Sequence, residues 1–288
     1  MSVSLKTGRQ TNRYQMAFDA ARQRGETLFM PYLTAGFPTP GETEPLLRAL
    51  VRGGAGALEV GVPFSDPLAD GPTIQRANTV ALQQGVRLRA ILDQIAALRA
   101  HGVEVPITLM GYLNPFISYR SDGTSEASGI DALARDAAAA GVDGCIIVDL
   151  PPEESDPYRD VLQAHGLALI YLLAPTSTAE RIRAVAQRAA GFVYLVSVTG
   201  VTGVRSALPA DLAAFVQRVR VGTDLPLAVG FGIADRAQVE SVGELCEAAV
   251  AGSAVIRCVE EALPADRVAA LQQFAEVMTG RRRGDQER

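Results

Sequence analysis

The chain has 288 residues, a length that suits one large α/β domain or two small ones. Its net charge of −5 and pI near 5.2 argue against a general binder of nucleic acid or of anionic membranes. The start of the chain contains no apolar stretch and no later stretch is long and apolar enough to cross a bilayer, so we expect a cytoplasmic protein. Its three cysteines are widely spaced, which predicts buried thiols rather than disulfides or metal ligands.

Short apolar runs alternate with helical segments along almost the whole chain. A first helix is predicted over residues 11–24, where apolar side chains recur at helical spacing. The apolar runs are predicted strands at 28–34, 57–62, 105–112, 144–149, 167–173, 192–198, 225–229 and 248–251. The intervening and final segments are predicted helices at 41–52, 88–100, 129–140, 153–164, 179–189, 210–219, 236–242, 253–260 and 265–278.

The strands are continuous apolar runs, as is typical of a parallel sheet that is covered on both faces. Eight strand–helix units favour an α/β fold, a closed single-domain (β/α)8 TIM barrel with an extra N-terminal helix, over residues 1–280. Residues 281–288 are predicted to be a flexible tail. No GxGxxG pattern follows the first strand, which weakens an open dinucleotide-binding sheet as the alternative. Segments 63–86, 115–128 and 200–209 are predicted as long loops, the first and last as lids or binding loops.

Two scarce residue types remove several mechanisms. Lys6 is the only lysine, so a Schiff-base or pyridoxal-phosphate lysine on the barrel is excluded. The only histidines, His101 and His165, precede predicted strands and are expected to end helices at the face opposite an active site. A histidine-built metal site is therefore not expected, although carboxylates alone could still hold Mg²⁺. Acid–base work is left to carboxylates and tyrosines.

Glu59 and Asp70 are the best candidates for that work. Glu59 lies within the apolar second strand, where desolvation should raise the pKa of its carboxyl group toward neutrality. Asp70 follows on a proline-rich loop that could fold over the barrel mouth. The structural alternatives are a hydrogen-bonded core acid for Glu59, and for Asp70 an ordinary loop acid or an N-capping acid before the helix start at Pro72. Asp66 is a second loop acid that we interpret as a turn residue.

Glycines at the ends of the last strands predict a phosphate site. Strand seven ends in Gly230-Phe231-Gly232, and strand eight runs through Gly252-Ser253 directly into a helix. Glycine lets the backbone approach a ligand closely, and free N–H groups at a helix start bind anions. In barrels this place is a frequent phosphate site.

Six motifs in this order resemble the tryptophan synthase alpha subunit family: LEVGVPFSDPLADGPTIQRA, GYLNP, DLPPEES, VSVTGVTG, GFGI and GSAVI. The resemblance covers about residues 15–278. It implies a lyase without cofactor or metal that cleaves indole-3-glycerol phosphate to indole and glyceraldehyde 3-phosphate. It also implies a beta subunit that receives the indole within an α2β2 heterotetramer and uses its own pyridoxal phosphate.

The resemblance further assigns roles to residues. Glu59 would shuttle protons, Asp70 would bind the indole N–H, and Thr202 would contact Asp70 when a lid closes. The phosphate would be held at Gly203, Gly232, Gly252 and Ser253. The indole pocket would be lined by Tyr32, Met110, Tyr112, Ile170, Tyr194 and Phe231.

Two departures from the family pattern stand out. Tyr32 occupies a position where phenylalanine is expected, and segment 119–128 is longer than expected. Three alternatives stay open from the sequence: a free-standing lyase that releases indole, a non-catalytic alpha-like activator, and another sugar-phosphate barrel enzyme. Beta-subunit contacts are expected on the loop after strand two and near residues 115–128.

Overall fold

The computed structural model describes residues 11–121, 128–196, 211–230 and 232–281. In these ranges eight parallel strands close into a barrel in the order of the sequence, so each strand pairs with its neighbours in the chain and β1 pairs with β8. The strands are β1 Leu28–Thr34, β2 Leu58–Gly61, β3 Ile107–Gly111, β4 Gly144–Ile147, β5 Ala168–Leu173, β6 Val193–Val196, β7 Leu227–Gly230 and β8 Ala248–Ala251. The predicted (β/α)8 barrel is therefore confirmed.

Helices surround the barrel. Those in the described ranges are α1 Thr11–Arg24, α2 Thr43–Arg52, α3 Pro72–Gln83, α4 Leu88–Ala100, α5 Leu113–Ile117, α6 Gly129–Ala140, α7 Asp156–Ala164, α8 Ala179–Arg188, α9 Asp211–Arg220, α10 Arg236–Gly243, α11 Ser253–Glu261 and α12 Arg267–Met278. Local sequence sets several ends: Asp235 and Gln238 form a capping box at α10, and Gly141 ends α6 in a left-handed conformation with φ of 91°. None of these helices is long and apolar enough to cross a membrane.

Two predicted loops contain helices. Residues 72–83, within the segment predicted as a long loop, form α3, and residues 113–117 form α5. Proline at the first position of α3 has no N–H to leave unpaired, which favours a helix start there. Several strands are also shorter than predicted, because the ends of the apolar runs turn into loops. The predicted loop at 200–209 lies outside the described residues.

Apolar side chains form two layers, one inside the barrel and one between strands and helices. Alternate residues of each strand face inward, which explains why the strands are apolar on both faces. The floor of the interior is closed by α1, the extra N-terminal helix. Its Tyr14 ring packs edge-on against Phe192, with ring centroids 5.5 Å apart, and its hydroxyl lies 2.6 Å from the Thr108 hydroxyl. The opposite end, where the strands finish, is left as the mouth.

Candidate active site

Glu59 is a fully buried acid without a hydrogen-bonding partner. It lies in the middle of β2, paired in register with Tyr32 on β1 and Thr108 on β3. Its exposed fraction is 0%, and neither carboxylate oxygen has a hydrogen-bond partner among the described residues. Burial, and then the charge of Asp70, raise its pKa to about 8. The predicted rise is thus present, and the alternative of a hydrogen-bonded core acid finds no partner in the described part of the chain.

Asp70 lies on the loop that follows β2, directly before α3. The N-cap of α3 is Gly71, which makes no side-chain capping bond, so the N-cap alternative for Asp70 was wrong. Burial raises the pKa of Asp70 to about 6, while a hydrogen bond from Asn78 opposes that rise. Asp66 is exposed and accepts a 2.5 Å bond from the Ser65 hydroxyl, as its interpretation as a turn residue predicts.

The two acids differ in their protonation state near neutral pH. A pKa of about 8 keeps Glu59 mostly protonated there, and a pKa of about 6 leaves Asp70 mostly ionised. Two neighbouring acids whose pKa values are pushed apart can act as proton donor and charge stabiliser at the same time. Within the described ranges, no group of three or more His, Cys, Asp or Glu side chains is arranged to hold a metal ion.

Tyr32 and Tyr194 bring hydroxyl groups into the barrel interior beside the acids. Burial and then the acid charges raise the pKa of both phenols, with Asp70 the larger acid contribution for Tyr32 and Glu59 for Tyr194. The Tyr32 hydroxyl lies 3.1 Å from the Thr34 hydroxyl. A Cβ at Gly61 would lie 2.1 Å from the Tyr32 hydroxyl, and one at Gly230 would lie 1.9 Å from the Tyr194 hydroxyl. Both phenols therefore depend on a glycine in a neighbouring strand for their space.

Tyr112 fixes the loop that carries Asp70. Its ring stacks on Phe64 with centroids 4.8 Å apart, and its hydroxyl accepts a 3.0 Å bond from the Ala69 backbone N–H. Burial is the main cause that raises the pKa of this phenol to about 12, so the hydroxyl stays neutral. The loop is held at the barrel mouth by a residue from the end of β3.

Met110 and Ile170 belong to the apolar interior layer, and their place in the wall of an aromatic pocket stays a prediction. A cavity of about 320 Å³ lies over the ends of β4 and β5 and shares Ile170 with that predicted pocket. Its lining does not include Glu59 or Asp70. The cavity therefore covers the side of the mouth away from the acids.

The predicted phosphate glycines that the structure describes lie at the mouth on neighbouring strands. Gly252 is the N-cap residue of α11, and no side-chain cap occupies the first N–H groups of this helix, which starts at Ser253. A Cβ at Gly252 would lie 3.5 Å from the Tyr32 ring, so this helix start is next to the aromatic pocket. Gly232 follows β7 with φ of 51°, a left-handed conformation that favours glycine. Gly203, Thr202 and Phe231 lie outside the described residues.

Sequence reasoning missed the residues of α3 that contact Asp70. Asn78 donates from Nδ2 to Asp70 Oδ2 at 3.4 Å, and Gln75 donates from Nε2 to the Asp70 carbonyl at 2.9 Å. The available signal was a polar residue at a helical position flanked by Ala77 and Ala81 on the buried face. His101 and His165 end α4 and α7, on the far side of the barrel as predicted.

Fold and site together define a (β/α)8 barrel with Glu59 inside β2 and Asp70 on the loop that follows this strand, at the end of the barrel where barrel enzymes carry out their chemistry. A sequence profile described as tryptophan synthase alpha chain matches residues 18–282. The chain belongs to the tryptophan synthase alpha chain family, a lyase family of tryptophan biosynthesis. The resemblance seen in the sequence motifs is thereby confirmed.

Individual relatives agree over most of the chain. It is 49% identical to the tryptophan synthase alpha chain of Solibacter usitatus, across 85% of this chain and 88% of the relative. It is 46% identical to that of a Roseiflexus species, across 93% of this chain and 100% of the relative. A structure of Mycobacterium tuberculosis tryptophan synthase superposes with a TM-score of 0.83 at 35% identity, covering 93% of this chain and 97% of that one.

Proposed function

We propose that the chain cleaves indole-3-glycerol phosphate to indole and glyceraldehyde 3-phosphate, with Glu59 and Asp70 as its catalytic residues. The observation that carries the assignment is the fully buried carboxyl group of Glu59, which has no hydrogen-bond partner among the described residues and whose pKa of about 8 responds to the charge of Asp70. A lone acid in an apolar interior is unfavourable unless it is used or paired.

The steps follow from the protonation states. Protonated Glu59 gives its proton to indole C3, while the Asp70 carboxylate accepts a hydrogen bond from the ring N–H and stabilises the positive charge. The carbon–carbon bond to the glycerol chain then breaks, and its electron pair returns to the ring as indole forms. Glu59, now ionised, takes the proton of the glycerol hydroxyl, which becomes the aldehyde. The proton returned to Glu59 restores the starting state.

Substrate binding is divided between two parts of the mouth. The indole ring would lie among the apolar and phenolic side chains that face the acids, and the phosphate would accept N–H bonds at Gly232, Gly252 and Ser253. The start of α11 supports this placement because its first N–H groups have no side-chain cap. Gly203, Phe231 and the lid residue Thr202 complete the proposal on the basis of the family resemblance.

We further propose that indole passes to a tryptophan synthase beta chain within an α2β2 assembly. Two apolar side chains near the mouth support a docking surface there: Leu68, on the loop after β2, is 91% exposed, and Ile117, on α5, is 42% exposed. Each side chain would be buried by a partner that docks on its segment, which would remove apolar surface from water. Both lie where the sequence placed the expected partner contacts.

The deciding experiment is indole formation from indole-3-glycerol phosphate by the purified chain, with and without a tryptophan synthase beta chain. We expect cleavage that the beta chain stimulates, together with co-elution of the two chains in size-exclusion chromatography. Rapid indole release without stimulation or co-elution would instead support a free-standing lyase. Activation of the beta chain without any cleavage would support a non-catalytic alpha-like subunit. Turnover of a simple sugar phosphate without binding of the indole phosphate would overturn the proposal.

A further inference from the structure

Asn78 is a buried polar residue on a helix face that is otherwise made of small apolar side chains. It lies in α3 with an exposed fraction of 2%, beside the fully buried Ala77 and Ala81. An amide on such a face costs free energy unless it makes hydrogen bonds. Neither alanine side chain can offer one, so the amide is directed to a partner outside its own helix.

That partner is Asp70. Asn78 Nδ2 lies 3.4 Å from Asp70 Oδ2, while its Oδ1 has no hydrogen-bond partner among the described residues. A contact of this length is at the long end of the range for a hydrogen bond. Asn78 is itself 2% exposed, so its amide has little access to water as an alternative partner.

Asp70 is also held by its backbone. The Gln75 amide, one helical turn before Asn78 on α3, donates to the Asp70 carbonyl at 2.9 Å and reaches the Pro67 carbonyl at 3.4 Å. Gln75 therefore holds the loop backbone, whereas Asn78 contacts the carboxylate itself. The two amides on one helix offer separable ways to fix the same acid.

We propose that Asn78 is a positioning residue that orients the Asp70 carboxylate toward the barrel interior and stabilises its ionised form. The inference rests on the proposed role of Asp70 and adds a residue to it. Among the described residues, the titratable groups that interact with Asp70 are Tyr32 on β1, Glu59 on β2, Tyr112 after β3 and Tyr194 on β6, and none of these is a cation. In the same part of the chain, the Asn78 amide donates the side-chain hydrogen bond that opposes the effect of burial on this carboxylate.

The test is the pH profile of kcat/KM for indole-3-glycerol phosphate cleavage in Asn78→Ala and Asn78→Asp, with the beta chain present. Loss of the donor raises the pKa of Asp70, so the acidic limb should move to higher pH, by about half a unit or more in Asn78→Ala. Asn78→Asp keeps the shape of the side chain but places a second acid beside Asp70, so its shift should be larger. We expect kcat to fall about 10-fold or more in both, while KM changes by less than about 3-fold.

The relative size of the acidic-limb shifts in Asn78→Ala and Asn78→Asp distinguishes a positioning role of Asn78 from a role in packing alone. A purely structural role predicts that Ala, which leaves a cavity, disturbs the enzyme more than Asp and moves neither limb. Thr79→Ala is the matched control, because Thr79 is exposed on the same helix and its hydroxyl donates to the Gln75 carbonyl of that helix. Gln75→Ala should alter KM through the loop backbone without a shift of the acidic limb.

Further variants keep the outcome decisive. If Asn78→Ala does not fold, judged by its thermal melting, Asn78→Ser provides a smaller donor and an intermediate shift. Unchanged acidic limbs in the folded Asn78 variants, with activity lost in Asp70→Asn, would overturn the role of Asn78 alone. Full activity in Asp70→Asn would instead overturn the proposed role of Asp70.

Discussion

Two buried carboxylates at opposite ends of the barrel have opposite surroundings. Asp143, just before β4 on the floor side, has an exposed fraction of 0%, as does Glu59. Asp143 accepts bonds from Arg99 Nη2 at 2.7 Å, Arg13 Nη1 at 3.0 Å and the Ile107 backbone N–H at 2.8 Å. Glu59 has no hydrogen-bond partner in the described part of the chain.

The difference separates a structural acid from a candidate catalytic one. Arg13 belongs to α1 and Arg99 to α4, so Asp143 ties the helix that closes the floor to the wall of the barrel. Burial raises the pKa of Asp143, and its arginine and N–H partners oppose that rise. Glu59 experiences burial together with a second negative charge. A buried carboxylate that neighbouring donors stabilise, such as Asp143, indicates a structural role. A buried carboxyl group without donors among the described residues, such as Glu59, indicates a functional role.

The largest expected effect is on catalysis. Glu59→Gln keeps the shape of the side chain but removes the proton donor, so cleavage should fall about 10³-fold or more. Indole formation under substrate saturation is the measurement. The variant should still bind glyceraldehyde 3-phosphate, because the phosphate cradle is untouched. Full cleavage activity in this variant would remove Glu59 from the mechanism.

Asp143→Ala should instead reduce the stability of the protein and leave catalysis in the folded fraction largely intact. Removal of the shared acid leaves the buried Arg99 guanidinium without its charge partner, and breaking such a pair costs about 3–5 kcal/mol of the free energy of unfolding. Denaturant unfolding measures the loss, and KM should change little in the folded fraction. Asp160→Ala is the matched control, because Asp160 pairs with Arg159 at 2.7 Å on the surface, with its side chain 64% exposed. Exposed pairs contribute about 1 kcal/mol or less.

Stability should also depend on pH through Glu59. Its pKa is about 8 in the folded protein against an ordinary value of 4.5, so between these values the folded state binds more protons than the unfolded state. The free energy of unfolding therefore falls as pH rises through this window, by up to about 1.4 kcal/mol per pH unit. Glu59→Gln does not titrate, so its stability relative to the parent should increase from pH 5 to pH 8 and then level off. A difference that stays flat with pH would contradict the raised pKa.

The smallest effect is on the shape of the activity profile. Cleavage needs Asp70 ionised and Glu59 protonated, so kcat/KM should rise with an apparent pKa of about 6 and fall with one of about 8. Outside this window activity should change by up to about 10-fold per pH unit. A profile that stays level from pH 5 to pH 9 would mean that neither acid titrates during turnover.

Local patterns predicted the elements well because each signal is short-range. The bounds of α1, β1, α4, α6 and β8 match the predicted ones, since apolar periodicity and terminal glycines fix them within the segment. The helix α3 was predicted as part of a loop, because it follows a proline-rich stretch that also carries loop acids. The domain limits at 1–280 and the tail at 281–288 stay predictions.

The contacts that the buried acids make were harder to predict from the sequence. Glu59 was identifiable because one acid interrupts an apolar strand, and the same reasoning cannot find Asp143, which lies in the connection directly before its strand. Its partners lie 130 and 44 residues away in the sequence. Asn78 was missed because a single polar residue in a helix is common, and only packing shows that it is buried against Asp70.

The sequence by itself determined the eight-fold alternation of strands and helices, the absence of lysine beyond Lys6 and the family to which the motifs belong. Those features depend on residue type and spacing, which are read along the chain. Only the tertiary structure decided that, within the described ranges, Asp143 has three hydrogen-bond donors and Glu59 has none, and that Asn78 reaches Asp70. The pKa of a buried acid is set by groups that closure of the barrel brings together, and such groups have no fixed spacing in the sequence.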